Sequence, residues 1–258
     1  TSVNNLALIY AAQDKNRQAE ELFKRALTVK EKALGRAHPE VGDILHNLAN
    51  VYLTLERYEE AEPLLTEALI ILSDTIGDDH VDLVPVLANL AAVCQANGHH
   101  KNSSAHLEKL LSLKEITLGP NHPEVVACIT NLAGSYIYEG RFADAERLYK
   151  RALSIRERAL GRQSPEVAEI LASIAFVHQS DNKYLLAENL YKEALAISET
   201  ARGPESSEAE ARLWDLACLY HNHNRYQKAE PYWKRLMELR ERKLGMAHPD
   251  AQACIDSL

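Results

Sequence analysis

The chemistry this chain could perform rests on eleven histidines, four cysteines and a recurring asparagine. A metal site would need His, Cys or carboxylates at ligand spacing. His99-His100 and His221-x-His223 are the close histidine groups, and neither has a Cys or carboxylate at such spacing. Both therefore read as solvated histidines of turns. His38, His80, His122 and His248 recur beside helix starts, where an imidazole hydrogen-bonds to backbone groups, so their reading is structural. Cys94, Cys128, Cys218 and Cys254 are far apart and form no CxxC or CxH pair. That pattern reads as buried thiols of a reducing, cytoplasmic compartment. The nucleophile and nucleotide motifs GxSxG, HExxH and GxGxxG are absent, as is the phosphate-binding GxxxxGK. The expectation is a protein that is not an enzyme, with no catalytic residues, no cofactor and no metal.

The elements that must position these residues are written in a repeat. Gly35, Gly77, Gly119, Gly161, Gly203 and Gly245 each stand 42 residues from the next. The same spacing carries Leu6-Ala7, Leu48-Ala49, Leu90-Ala91, Leu132-Ala133, Ile174-Ala175 and Leu216-Ala217. A period of 20 to 50 residues signals a solenoid or propeller. Helices decide between them: Val41, Leu45, Leu48, Ala49 and Tyr52 form one stripe of a 3.6-residue period, here helix A. A second stripe runs from Tyr58 through Ala61, Leu65, Ala68, Leu69 and Leu72 to Ile76, here helix B, and Gly77 supplies a left-handed stop. Pro39, Pro123, Pro165 and Pro249, each four residues after the period's glycine, open the next helix A, with Ser164 as an N-cap.

Small residues mark the crossing of the two helices. Ala19, Ala61, Ala145, Ala187 and Ala229 face the helix A alanine, and Phe23, Leu65, Leu107, Tyr149, Tyr191 and Trp233 fill the core one turn on. Asn5, Asn47, Asn89 and Asn131 recur just before the helix A leucine, where a partly buried amide bonds from repeat to repeat. Lys15, Arg57, Arg141, Lys183 and Arg225 close helix A, where a cation answers the helix dipole. Repeat three departs most, with Cys94, His100, Ser103 and Leu110 at landmark positions, and is expected to be the softest point. Thr1 matches Asp43 and Leu258 matches Leu216, so both ends fall inside a helix A and a fragment of a longer protein is expected.

Leu48, Ala49, Tyr52, Ala61, Leu65 and Ala68 resemble the tetratricopeptide repeat, and the LGxxHP linker at Leu34-Gly35-Arg36-Ala37-His38-Pro39 is similar to the 42-residue kinesin light chain type. The resemblance spans residues 1–258 as a single array and implies an all-α fold, a right-handed superhelical solenoid of helix-turn-helix repeats. It implies protein or peptide partners held in a concave groove lined by helix A. Carried onto this chain, the groove positions are Asn4 and Leu8; His46 and Asn50; Gln95; Thr130 and Tyr138; Phe176 and Gln179; and Trp214, His221 and Asn222. None is Lys or Arg, so the carboxylate clamp of chaperone-tail-binding members is not expected. Tyr138, Phe176 and Trp214 are expected to form one aromatic ridge.

The expected function is a non-catalytic, cargo-adaptor-like scaffold, the alternative being the sensor or input domain of a larger signalling protein or enzyme. With 29 basic against 37 acidic residues spread along the chain, no basic footprint for nucleic acid exists. No apolar run approaches the roughly 18 residues of a membrane span, so membrane insertion is excluded.

Overall fold

The structure is a computed structural model that describes residues 2–244. Gly245, His248, Pro249, Cys254 and Leu258, with the start of a seventh repeat, lie outside the described residues, as does Thr1. Among the described residues there are twelve α-helices, one short 3-10 turn and no strand. The chain divides into two compact units, the first ending at Glu139 and the second beginning at Gly140.

In the first unit, α1 (Ser2–Ala12) and α2 (Asn16–Leu34) form repeat one, and α3 (Pro39–Thr54) and α4 (Tyr58–Ile76) form repeat two. Repeat three is α5 (Val84–Ala96) and α6 (His100–Leu118), followed by α7 (Pro123–Tyr138). The second unit holds α8 (Phe142–Leu160), the hairpin α9 (Pro165–Ser180) and α10 (Tyr184–Arg202), and the hairpin α11 (Ser207–Asn222) and α12 (Tyr226–Leu244). Within each unit every helix packs on its chain neighbours.

Local chemistry explains where these helices start. Pro39, Pro123 and Pro165 sit at the first turn of α3, α7 and α9, where a missing N–H costs nothing. His38, His80 and His122 act as N-caps, Nδ1 accepting from the backbone N–H of Glu40, Asp82 and Glu124 at 3.2, 3.2 and 3.3 Å. Ser164 accepts from the Val167 N–H at 3.3 Å in the same role. Repeat three has Val81 where repeats two, four and five carry proline, and its own proline, Pro85, falls four residues later. A 3-10 turn, Val81–Leu83, therefore precedes α5.

The period's glycine ends helix B by a different route from the expected left-handed cap. Gly35 has φ 85° and ψ 158°, a region open to glycine almost alone, while its N–H still bonds the Glu31 carbonyl. A Cβ on Gly35 would meet nothing within 4 Å, so backbone conformation and not crowding demands glycine. The left-handed residue sits instead in the A-to-B turns, at Asp14, Glu56, Gly98, Gly140, Asn182 and Asn224, again 42 apart.

The predicted core is in place. Ala19, Ala61, Ala145 and Ala187 are fully buried, and so are Phe23 and Leu65; Tyr149, Tyr191 and Trp233 are buried beside them. Repeat three keeps its landmark positions Cys94, Ser103 and Leu110 buried despite their changed residue types. Ser103 is fully buried and its hydroxyl donates to the Ala91 carbonyl at 2.9 Å, while Leu107 and Leu110 are buried. A serine is close to alanine in volume, and its one polar atom finds a partner, so the helix crossing accommodates it.

Candidate functional site

From α3 onward each helix A hides its Leu-Ala or Ile-Ala pair, whereas α1 buries Ala7 but leaves Leu6 41% exposed, so the candidate positions divide by what their neighbours leave uncovered. In the first unit Leu8, Gln95 and Tyr138 are exposed, and Asn4, His46, Asn50 and Thr130 are half-buried. His46 and Asn50 on α3 are brought together by Asn89 of α5. Its amide reaches His46 Nε2 at 3.1 Å and donates to Asn50 Oδ1 at 2.5 Å. The repeat-to-repeat amide bond is thus present at Asn89, whereas Asn5 and Asn131 are exposed. Burial pushes the His46 imidazole below its ordinary pKa, against the attraction of Asp43. Thr130 donates to the Ala127 carbonyl of its own helix at 2.9 Å. Tyr138 is 69% exposed and stacks on His100 with ring centroids 4.3 Å apart.

In the second unit Phe176 is 49% exposed on α9. Gln179 is partly spent, accepting from the Tyr191 hydroxyl at 3.2 Å. Trp214 is less open than its position predicts, at 37%. Its ring meets the Trp233 edge at 5.1 Å, and the Arg240 guanidinium lies 4.9 Å from its centroid. Trp214 is therefore wedged against helix α12, and a cation reaches this position from helix B, which the residue types of helix A could not reveal. His221 is half-buried against Tyr226 and Trp233, and Asn222 is exposed.

The cations at the end of helix A have a second task beyond the dipole. Arg57 donates to Glu20 of the preceding helix B at 2.8 Å and lies 4.2 Å from the Tyr52 ring, whose hydroxyl donates to the same carboxylate at 3.1 Å. Burial works against the Glu20 charge, yet hydrogen bonds from Lys24, Arg57 and Tyr52 hold its pKa below the ordinary value. In the next repeat Glu62 receives Asn97 at 2.5 Å and the weak Cys94 thiol at 3.5 Å, with His99 Nδ1 at 2.9 Å. His99 is thus tied to a carboxylate rather than merely solvated. Burial and the Glu62 charge push the Cys94 thiol up to about 12, which makes it inert. In the second unit Glu188 is met by Lys192 at 2.7 Å and Arg225 at 3.8 Å, and Glu146 by Lys150 at 2.6 Å and His178 at 3.8 Å. Glu20, Glu62, Glu146 and Glu188 share one register, a signal that was present in the sequence at the same 42-residue spacing.

Cys94, Cys128 and Cys218 are free thiols. Among the described residues no three His, Cys, Asp or Glu side chains converge as metal ligands, and no helix is long and apolar enough to cross a membrane.

Stacked helical hairpins with buried Leu-Ala crossings and side-chain-rich outer faces define the class as a repeat scaffold. Models of the family described as Tetratricopeptide repeat match residues 1–74, 40–116, 82–158, 125–200 and 166–242. The chain belongs to the tetratricopeptide-repeat family, and its array is of the kinesin light chain type. It is similar to a putative kinesin light chain of Podosopora anserina with nearly identical TPR-like repeats, at 26% identity and TM-score 0.65, over 78% of this chain and 96% of that one. BtubC (BKLC) from P. vanneervenii shares the fold at 21% identity and TM-score 0.64, over 92% of each chain. A signal-transduction ATPase of Pyrococcus horikoshii with a tetratricopeptide repeat sensor shares it at 17% identity and TM-score 0.66, over 98% of this chain and 37% of that one. No curated protein matches. Arrays of this family are scaffolds for protein–protein interaction.

Proposed function

We propose that the six repeats act as one non-catalytic adaptor array that holds an extended or helical peptide segment of another protein on its helix A faces, in the cytoplasm. The observation that carries this reading is the exposure of Tyr138 and Phe176, two large aromatic side chains on A helices whose other large apolar residues are mostly buried. Aromatic anchors of this kind each contribute about 2 kcal/mol or more to a complex. Side-chain amides at Asn50, Gln95 and Asn222 supply hydrogen bonds on other A helices, so recognition rests on shape and not on charge. The three free thiols suit a reducing compartment.

The test is calorimetric titration with a peptide selected on the immobilised chain from a random library. Tyr138→Ala and Phe176→Ala should each weaken binding by about tenfold or more with helix content unchanged. Trp214→Ala is the poorer probe, because its contacts with Trp233 and Arg240 make it part of the fold. Selected peptides that bind both variants as tightly as the parent would overturn the assignment.

A further inference from the structure

We propose that the outward stripe of helix α4 is a second docking face, separate from the helix A positions, for a cationic amphipathic helix of a partner protein. An open groove of about 910 Å³ runs along this helix, from Arg36 and Ala37 at one end to Asn97 and His99 at the other. All of it lies in the first unit. Its wall is the stripe Glu59, Glu62, Pro63, Thr66, Glu67 and Ile70, spaced i, i+3, i+4, i+7, i+8 and i+11 along one helix face. Eleven residue steps make it about 16 Å long, some three helical turns.

Comparison with the sibling helices shows why the groove exists. At the register of Thr66, helices α2, α8, α10 and α12 carry Lys24, Lys150, Lys192 and Lys234, whereas α6 carries Glu108 there and keeps Lys101 and Lys109 on the same stripe. Each lysine at the Thr66 register lies back along its helix to pair with Glu20, Glu146, Glu188 or Glu230 at 2.6 to 2.7 Å. The long side chain covers the stripe and cancels its charge. Thr66 does neither. Among the described B helices, α4 alone has no Lys or Arg on this stripe.

Two further features set the polarity of the site. At the N-terminal end Glu59 makes no ion pair, and Glu62 is held ionised by neutral Asn97 and by His99. Pro63 has no N–H, so the Glu59 carbonyl has no i+4 donor within the helix. At the other end Ile70 is 56% exposed over buried Ile71, and Glu67 is already neutralised by Arg36 at 2.6 Å. An occupant must therefore place donors and positive charge at the Glu59 end and an apolar side chain on Ile70. A basic amphipathic helix meets both demands.

The probe is a labelled synthetic helix of about 14 residues, roughly 21 Å long, with leucines on one face and lysines elsewhere, beside a version with glutamate for lysine. Fluorescence anisotropy should show the lysine peptide binding and the glutamate peptide failing to bind. Thr66→Lys and Ile70→Thr install residues that the siblings carry at the same register, so both variants should fold as the parent does. Each should weaken the lysine peptide by at least tenfold. Phe176→Ala should leave it unchanged, which separates this face from the helix A reading. Unchanged affinity in Thr66→Lys and Ile70→Thr would overturn the proposal. So would equal binding of the glutamate peptide, or self-association that Ile70→Thr abolishes while the peptide fails to bind, since the occupant would then be a second copy of this chain.

Discussion

Helices α2 and α4 hold the same register in successive repeats and bury the same landmarks. Ala19 and Ala61, and Phe23 and Leu65, are all fully buried. Their outer stripes are opposite in character: α2 presents Arg17, Lys24 and Arg25 where α4 presents Glu59, Thr66 and Glu67. Glu20 of α2 is clamped by two permanent cations, Lys24 and Arg57, whereas Glu62 of α4 is met by Asn97, Cys94 and His99. Packing tolerates little variation at the crossing, so the repeat conserves its architecture there. Solvent imposes no such demand on the stripe, and recognition chemistry is free to differ from one repeat to the next.

The largest expected effects break the buried half of this comparison. Ala133→Leu should overpack a closed helix crossing and cost about 1–3 kcal/mol. Ser103→Leu should cost a similar amount, because Ser103 is as fully buried as Ala133. Urea unfolding followed by circular dichroism measures both; a clearly smaller shift for Ser103→Leu would show that repeat three is loose after all.

The clamps give the next effect. The Glu20 and Glu62 side chains are similarly buried, 15% and 18% exposed, so a difference between them reports the charge of their partners. Glu20→Gln should cost about 1.5–3 kcal/mol, the range for hydrogen bonds to charged groups, and Glu62→Gln distinctly less. Equal losses would mean that the cations of repeats one and two add nothing to the clamp.

Acid should act on both repeats. His46, His106 and His178 have pKa values lowered by burial from an ordinary 6.5, so the unfolded chain binds protons that the folded chain refuses. Facing His178 are Glu146, Lys183, Lys150 and Asp181, whose charges do not offset its burial. Stability should therefore be complete above about pH 6.5 and fall as pH drops below it. Glu20 and Glu62 have depressed values, so their contribution is present above 4.5 and is lost at lower pH still. A urea midpoint at pH 5.5 equal to that at pH 7.5 would contradict the histidine assignment. The smallest effect is on the stability of Thr66→Lys, which should gain about 0.3–0.5 kcal/mol from a new i,i+4 pair with Glu62.

The fold was legible because its landmarks obey one period. Five copies of Leu-Ala, with Ile174-Ala175 and the period's glycine, located every described helix hairpin. The glycine's extended positive-φ conformation was not legible, since composition shows that glycine is required but not which of its special regions it uses. The turn residues were hidden for a related reason: Gly98 and Gly140 advertise a positive φ, whereas Glu56 reaches the same φ with no such signal. At the candidate site the exposure of Tyr138 and Phe176 followed from register alone. The wedging of Trp214 did not, because Arg240 and Trp233 reach it from another helix. The α4 groove was not legible because what marks it is the lack of any Lys or Arg on its stripe, and absence is visible only when siblings are laid side by side.

On the reading proposed above, the helix A faces hold a partner's peptide segment, with Tyr138 an exposed anchor in the first unit and Phe176 in the second. Amide hydrogen exchange of the chain with a library-selected peptide tests it most directly. Exchange should slow in the C-terminal turns of α7 and α9 around Tyr138 and Phe176, with the B helices unchanged. Protection confined to the B helices, with α7 and α9 exchanging as in the free chain, would contradict it.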